Sequence, residues 1–118
     1  MNDACIVVDF RKNRIRIFKR TLQELQNPKY VRLLVNPNEK TVAVQVTDFT
    51  DTRAHRVPNI GIESVRCYEI YSRSLLRELS DCGDWDQKHS YKIHASACLD
   101  QQCVVFKIDQ AVRLETSR

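Results

Sequence analysis

The chain makes the same short passage twice. Ile17-Phe18-Lys19-Arg20-Thr21-Leu22 returns in kind as Ile70-Tyr71-Ser72-Arg73-Ser74-Leu75. In each copy an isoleucine and an aromatic residue close an extended run, and a hydroxyl residue followed by leucine opens a helix-forming one. A chain that passes from strand to helix twice in the same way has few architectures open to it. The expectation is a single domain over 1–118, built from pseudo-repeat halves at about 1–59 and 60–118. A chain of 118 residues is long enough for one such core. With only two glycines and three prolines, neither disorder nor a loop-rich scaffold fits the composition.

Periodicity supplies the elements. Cys5 to Phe10 is β-branched and uninterrupted, the pattern of a strand, and Arg11-Lys12-Asn13 turns it into Arg14 to Phe18. There Ile15 and Ile17 alternate with Arg14 and Arg16, the period of two that a half-buried strand needs. Thr21 to Gln26 suits a helix, stopped at Asn27-Pro28 because proline disfavours helical geometry in the residue before it. Tyr30 to Val35 and Thr41 to Val46 form a hairpin around the turn-forming Asn36-Pro37-Asn38-Glu39-Lys40. Thr47 to Val57 has an extended, polar character and is expected to add a strand. Asn59-Ile60-Gly61 would hinge the halves. The second half repeats the order: strand Val65 to Tyr71, helix Arg73 to Leu79 and polar loop Ser80 to His89. A hairpin of Tyr91 to Cys98 with Cys103 to Ile108 follows, then a last short strand, Ala111 to Leu114. The fold class expected is α+β. Two strand-helix-hairpin repeats form a mostly antiparallel sheet with two helices on one face.

A strand-helix-hairpin unit used twice in this length resembles one domain of a DNA sliding clamp, and TATA-box-binding proteins are built on a related plan. Thr41-Val42-Ala43-Val44-Gln45-Val46-Thr47-Asp48-Phe49, with the run to Val57, is similar in style to a bacterial clamp half-domain. The resemblance covers nearly the whole chain and implies a clamp-like fold. The chain departs from clamps in its helices, which in clamps line the hole with basic residues, whereas here only Lys19, Arg20, Arg73 and Arg77 qualify. Resemblance of fold does not carry function with it.

Motifs for chemistry are sparse. Gly61 and Gly83 cannot make a glycine-rich phosphate loop, and no Gly-x-Ser-x-Gly occurs. Asp48 with Asp51, and Asp81 with Asp84 and Asp86, suit solvated loops better than acid–base or cation sites. The expectation is a non-enzyme with no cofactor. Five cysteines, Cys5, Cys67, Cys82, Cys98 and Cys103, cannot all pair within the chain, and in a reducing compartment they act as small apolar residues. A metal or thiol protein using Cys82, His89, His94, Cys98 and Cys103 is one alternative, although no compact ligand pair supports it. No apolar run approaches the roughly 20 residues that cross a bilayer, and no secretory signal is evident. The expected address is the cytoplasm, with no membrane partner.

Charge is uneven. Residues 1–59 hold eleven Lys/Arg against six Asp/Glu, and residues 60–118 hold eight against nine. Arg11, Lys12, Arg14, Arg16, Lys19 and Arg20 are interleaved with Ile15, Ile17 and Phe18, a cluster suited to phosphate contacts. Alternation alone would also place such arginines on the wet face of an edge strand, where charge blocks aggregation. Trp85, the only tryptophan, is either a partner-binding anchor or a cap over the core end. Tyr30, Tyr68, Tyr71 and Tyr91 are expected in sheet packing. The leading expectation is a small binding module that occupies a partner surface, as adaptors and inhibitors of phages or mobile elements do. The partner is a protein or nucleic acid, and a homodimer across a twofold is open to a sheet with free ends. A nucleic-acid-binding accessory protein using the basic stretch 11–20 is the alternative.

Overall fold

The structure, a computed structural model, describes residues 4–58 and 66–114. The expected hinge at Asn59-Ile60-Gly61, the start of the strand at Val65 and the tail from Glu115 lie outside the described residues. Nine strands and two helices follow one another among the described residues. They are β1 (Cys5–Asp9), β2 (Arg14–Phe18), α1 (Lys19–Glu24), β3 (Tyr30–Asn36), β4 (Thr41–Val46) and β5 (His55–Arg56). Then come β6 (Cys67–Tyr71), α2 (Arg73–Gly83), β7 (Ser90–Leu99), β8 (Cys103–Lys107), a 3-10 turn (Ile108–Gln110) and β9 (Val112–Leu114). The fold is α+β, with a mostly antiparallel, nearly closed sheet.

The sheet runs β5-β3-β4-β8-β7-β1-β2-β6, and β9 lies against β7. β7 joins its two parts. Residues Ser90 to His94 pair with β1, and Ala95 to Leu99 pair with β8. The register shifts between Ala95 and Ala97, a bulge that increases twist and turns the strand from one part of the sheet to the other. β1 therefore sits between β7 and β2, which explains its unbroken apolar sequence: Cys5 to Val8 are all buried. Val7 faces outward, yet it is flanked by Arg16 and Lys92, whose long side chains can shield it.

Alternation does what the sequence pattern requires. Tyr91, Val8, Ile15 and Ile70 form one inward row, and Ile93, Ile6, Ile17 and Tyr68 the next. Leu33, Val44 and Val104, with Val35, Val42 and Phe106, continue the inner layer across β3, β4 and β8. Leu22 and Leu25 from the α1 end and Leu75, Leu76 and Leu79 of α2 join these residues in one core. Each fully buried leucine or isoleucine contributes about 1.5–3 kcal/mol relative to exposure.

The two copies of the repeated phrase differ in detail. Thr21 is buried and its hydroxyl donates to the Cys5 carbonyl at 3.0 Å. Ser74, at the matching place, is exposed, and Ser72 instead caps α2, accepting from the Leu75 N–H at 3.3 Å. α1 has no side-chain cap and is only six residues long. It starts at Lys19 rather than Thr21, and α2 runs four residues past the expected end at Leu79, to Gly83.

Two expectations are corrected. Thr47 to Ala54 is a hydrogen-bonded loop rather than a strand, and only His55–Arg56 pair, with β3. β2 is an interior strand with β1 on one side and β6 on the other, so its arginines do not guard an edge.

Candidate functional site

Half of the basic stretch is paired with carboxylates of its own neighbours. Arg14 and Arg16 face outward from β2. Arg14 Nε lies 3.0 Å from Asp9 and its Nη1 2.7 Å from Glu69. Burial opposes its charge, but hydrogen bonds to Asp9 and Tyr71 and the charges of Glu69 and Asp9 hold the guanidinium protonated above its ordinary value. Tyr71 donates to Glu69 at 2.8 Å, and Ser90 donates to Asp9 at 3.4 Å. Arg16 lies 3.8 Å from the same Glu69 and 5.2 Å from the Phe18 ring centroid. Arg20 pairs with Glu24 one helical turn on, at 2.9 Å. Arg11 and Lys12 are exposed at the β1–β2 turn, and Lys19 begins α1. The six residues are thus spread over a turn, the outer face of a strand and a helix start. Carboxylates already hold three of them.

Trp85 packs against aromatic residues of its own chain. Its ring stacks on Tyr91 at 4.5 Å and 8°, with Phe10 edge-on to both at 6.3 Å. It is half-buried and packs on the core. Gly83 makes room for it: a β-carbon there would fall 2.5 Å from the indole Nε1. The Cys/His alternative is not drawn together. Cys82 is on α2, and His89 sits 3.2 Å from Asp86 in the loop after it. His94 and Cys98 are exposed in separate parts of β7. Among the described residues, no three His, Cys, Asp or Glu converge as metal ligands. Burial, with Cys98 nearby, pushes the Cys103 thiol up and away from thiolate chemistry.

Two surfaces stand out. The first is the loop Thr47 to Ala54. Asp51 accepts from the Arg53 N–H at 2.9 Å, the Thr47 hydroxyl at 2.9 Å and Arg32 at 3.1 Å. Asp48 accepts from the Thr50 N–H at 2.9 Å and from its hydroxyl. These bonds hold both carboxyls below the usual range, Asp48 chiefly through the Thr50 hydroxyl and Asp51 chiefly through the Arg53 N–H. Within this braced loop Phe49 is 78% exposed, the most of any large apolar residue described. The signal was present in the sequence: Asp48 and Asp51 each stand two residues before a turn donor, the spacing of Asx turns.

The second is the outer face of β3-β4-β8-β7. Register sets Leu34 beside Ala43, Ala43 beside Val105, and Val105 beside Ala97. The next row is Arg32, Gln45, Cys103 and Leu99, and the row on the other side Asn36, Thr41 and Lys107. Arg32 and Lys107 are the only charges in these three rows. The outer face of β7-β1-β2-β6 differs, carrying Asp9, Arg14, Arg16, Glu69 and Lys92. Both helices contribute to the core on the inner side.

Fold and surfaces together define a small α+β domain whose antiparallel sheet encloses the core, leaving outside a braced aromatic loop and a sheet face with only two charges in its three rows. Compared with protein families, curated proteins and solved structures, the chain has no match to any family model, protein or structure. Among the described residues no helix is long and apolar enough to cross a membrane.

Proposed function

We propose that this chain is a binding module that acts by occupying the surface of a partner protein, with Phe49 as the anchor. The observation that carries this reading is the 78% exposure of Phe49 on a loop held by five side-chain hydrogen bonds. A large apolar ring kept in water by an ordered loop has no role in the core. Because the loop is already ordered, little conformational freedom is lost on docking. Aromatic residues are enriched at interface cores, and a few such anchors dominate affinity. The partner surface that suits it is an apolar pocket.

A duplicated, clamp-like plan is part of the same proposal. The pairing β3–β4 in the first half corresponds to β7–β8 in the second. The pairings β2–β6 and β4–β8 each join corresponding strands of the two halves, as a pseudo-twofold requires. β1 lies across β7 from β8, as the short β5 lies across β3 from β4.

The test compares the full chain with Phe49→Ala. The protein retained by the wild-type chain is identified, purified and titrated calorimetrically against both. Loss of about 2 kcal/mol, near 30-fold, is expected on removing a central anchor, with stability unchanged within about 0.5 kcal/mol because the site is exposed. Equal affinities would refute the assignment. Random duplex DNA provides the competing arm: binding that falls steeply with salt and weakens in Arg11→Ala/Lys12→Ala would favour nucleic acid instead.

A further inference from the structure

We infer that the outer face of β3-β4-β8-β7 is a self-association surface on which a second copy of this chain docks across a twofold. The basis is the size order along its central row: Leu34, Ala43, Val105, Ala97, alternating large and small. A twofold parallel to the strands and passing between β4 and β8 lays this row over its own reverse. Leu34 then meets Ala97 of the second copy, and Ala43 meets Val105, so each large side chain faces a small one. That is the complementarity by which facing layers interdigitate, and an isologous contact requires the same patch to fit itself.

Charge agrees with the same axis. The two cations of the face lie in different rows, Arg32 beside Gln45 and Lys107 beside Thr41. The operation sets Arg32 against Leu99 and Lys107 against Thr41, so no like charges meet. Arg32 is already held by Asp51 at 3.1 Å, and the strands β3, β4, β5 and β8 contain no carboxylate. Leu99, 54% exposed, gains apolar contact with the Arg32 stem.

The area sets the strength. Four strands about 4.8 Å apart and three rows about 6.8 Å apart make a floor of roughly 400 Å², about half of the ~800 Å² per partner of a standard interface. The dimer is therefore weak and concentration-dependent. This inference stands apart from the Phe49 proposal, and either can fail alone.

Sedimentation equilibrium of the full chain, over a series reaching high micromolar concentration, is expected to show monomer and dimer. Val105→Lys and Ala97→Glu each bury two charges per dimer and should weaken association about 100-fold or more. Ala97 is exposed in the monomer, so Ala97→Glu remains informative if Val105→Lys unfolds the chain. Lys92→Glu, on the other outer face, should leave the dimer intact. Mixing the Ala43→Glu and Val105→Lys chains should restore association that neither shows alone, because these positions face each other across the axis. A chain monomeric throughout, a dimer surviving Ala97→Glu, or mixed chains that stay apart would each overturn the inference.

Discussion

Replacing Gly83 with alanine puts a methyl carbon where the Trp85 indole already lies. The added carbon would stand 2.5 Å from Nε1, 2.6 Å from Cε2 and 2.9 Å from Cδ1. Ordinary carbon contacts are about 3.5–4.0 Å, so the ring must retreat by ~1 Å. It is not free to do so: one face stacks on Tyr91 at 4.5 Å, and Phe10 meets it edge-on at 6.3 Å. Over-packing of this kind costs about 1–3 kcal/mol. The gain in helix propensity from glycine to alanine, up to about 1 kcal/mol in a helix interior, is smaller at the last residue of α2. The net expectation is a loss of about 1–2 kcal/mol, which lowers the melting temperature by roughly 4–8 °C for a domain of this size. Thermal melts by circular dichroism measure the loss, and emission from Trp85, the only tryptophan, reports the displaced ring. In a Trp85→Ala background the cost of Gly83→Ala should vanish, as coupling between touching residues requires. A Gly83→Ala chain that melts no lower and keeps its emission would refute the packing assigned to this corner.

Three further outcomes are expected. Gln101, with Asp100, holds a left-handed backbone in the β7–β8 turn (φ 57 and 52), so Gln101→Gly should raise the urea midpoint by an amount equal to about 0.5–1 kcal/mol; a lower midpoint would contradict this. Arg14→Ala leaves Asp9 and Glu69 without their shared cation and should cost about 1.5–3 kcal/mol, whereas Arg11→Ala and Lys12→Ala should stay within about 0.5 kcal/mol; three equal effects in urea titrations would count against the ion-pair reading. Asp86 is held below the usual carboxylate range chiefly by the Lys88 N–H, as Asp48 and Asp51 are by their own turn donors, and burial pushes His55 below its ordinary value. In each case the unfolded chain takes up its proton at higher pH than the folded one. The stabilisation is therefore complete above the ordinary pKa and fades as pH falls through the folded value, first for His55 and then for the aspartates. The urea midpoint should fall in that order between about pH 7 and pH 3, and His55→Gln should remove the first stage.

Much of the local structure was legible from residue order. The strict alternation of Arg14 to Phe18 placed Ile15 and Ile17 in the core, where both are fully buried. The hairpin of β3 and β4 and the leucine stripe of α2 were equally plain. The turns themselves are made without glycine: Asn13, Gln26, Asn27, Lys40, Asp84, Asp100 and Gln101 all hold left-handed backbone. The polar run after Val46 carried a strand expectation because extended and Asx-turn segments share composition. Only the bonds from Asp48 and Asp51 distinguish them.

What residue order determined by itself is whatever depends on neighbours two to four positions apart: which side chains point inward, where hairpins turn, and that two helices follow two similar strands. Tertiary structure decided which strands became neighbours. It set β1 between β7 and β2, and made β2 an interior strand. It also brought Glu69 to Arg14 from 55 positions away, so that part of the basic stretch is ion-paired within the chain. It assembled Leu34, Ala43, Val105 and Ala97 into one row from four strands. The physical reason is that periodicity specifies a face but not its partner. Partners are chosen when the whole core closes, and the outer surface is what that choice leaves exposed.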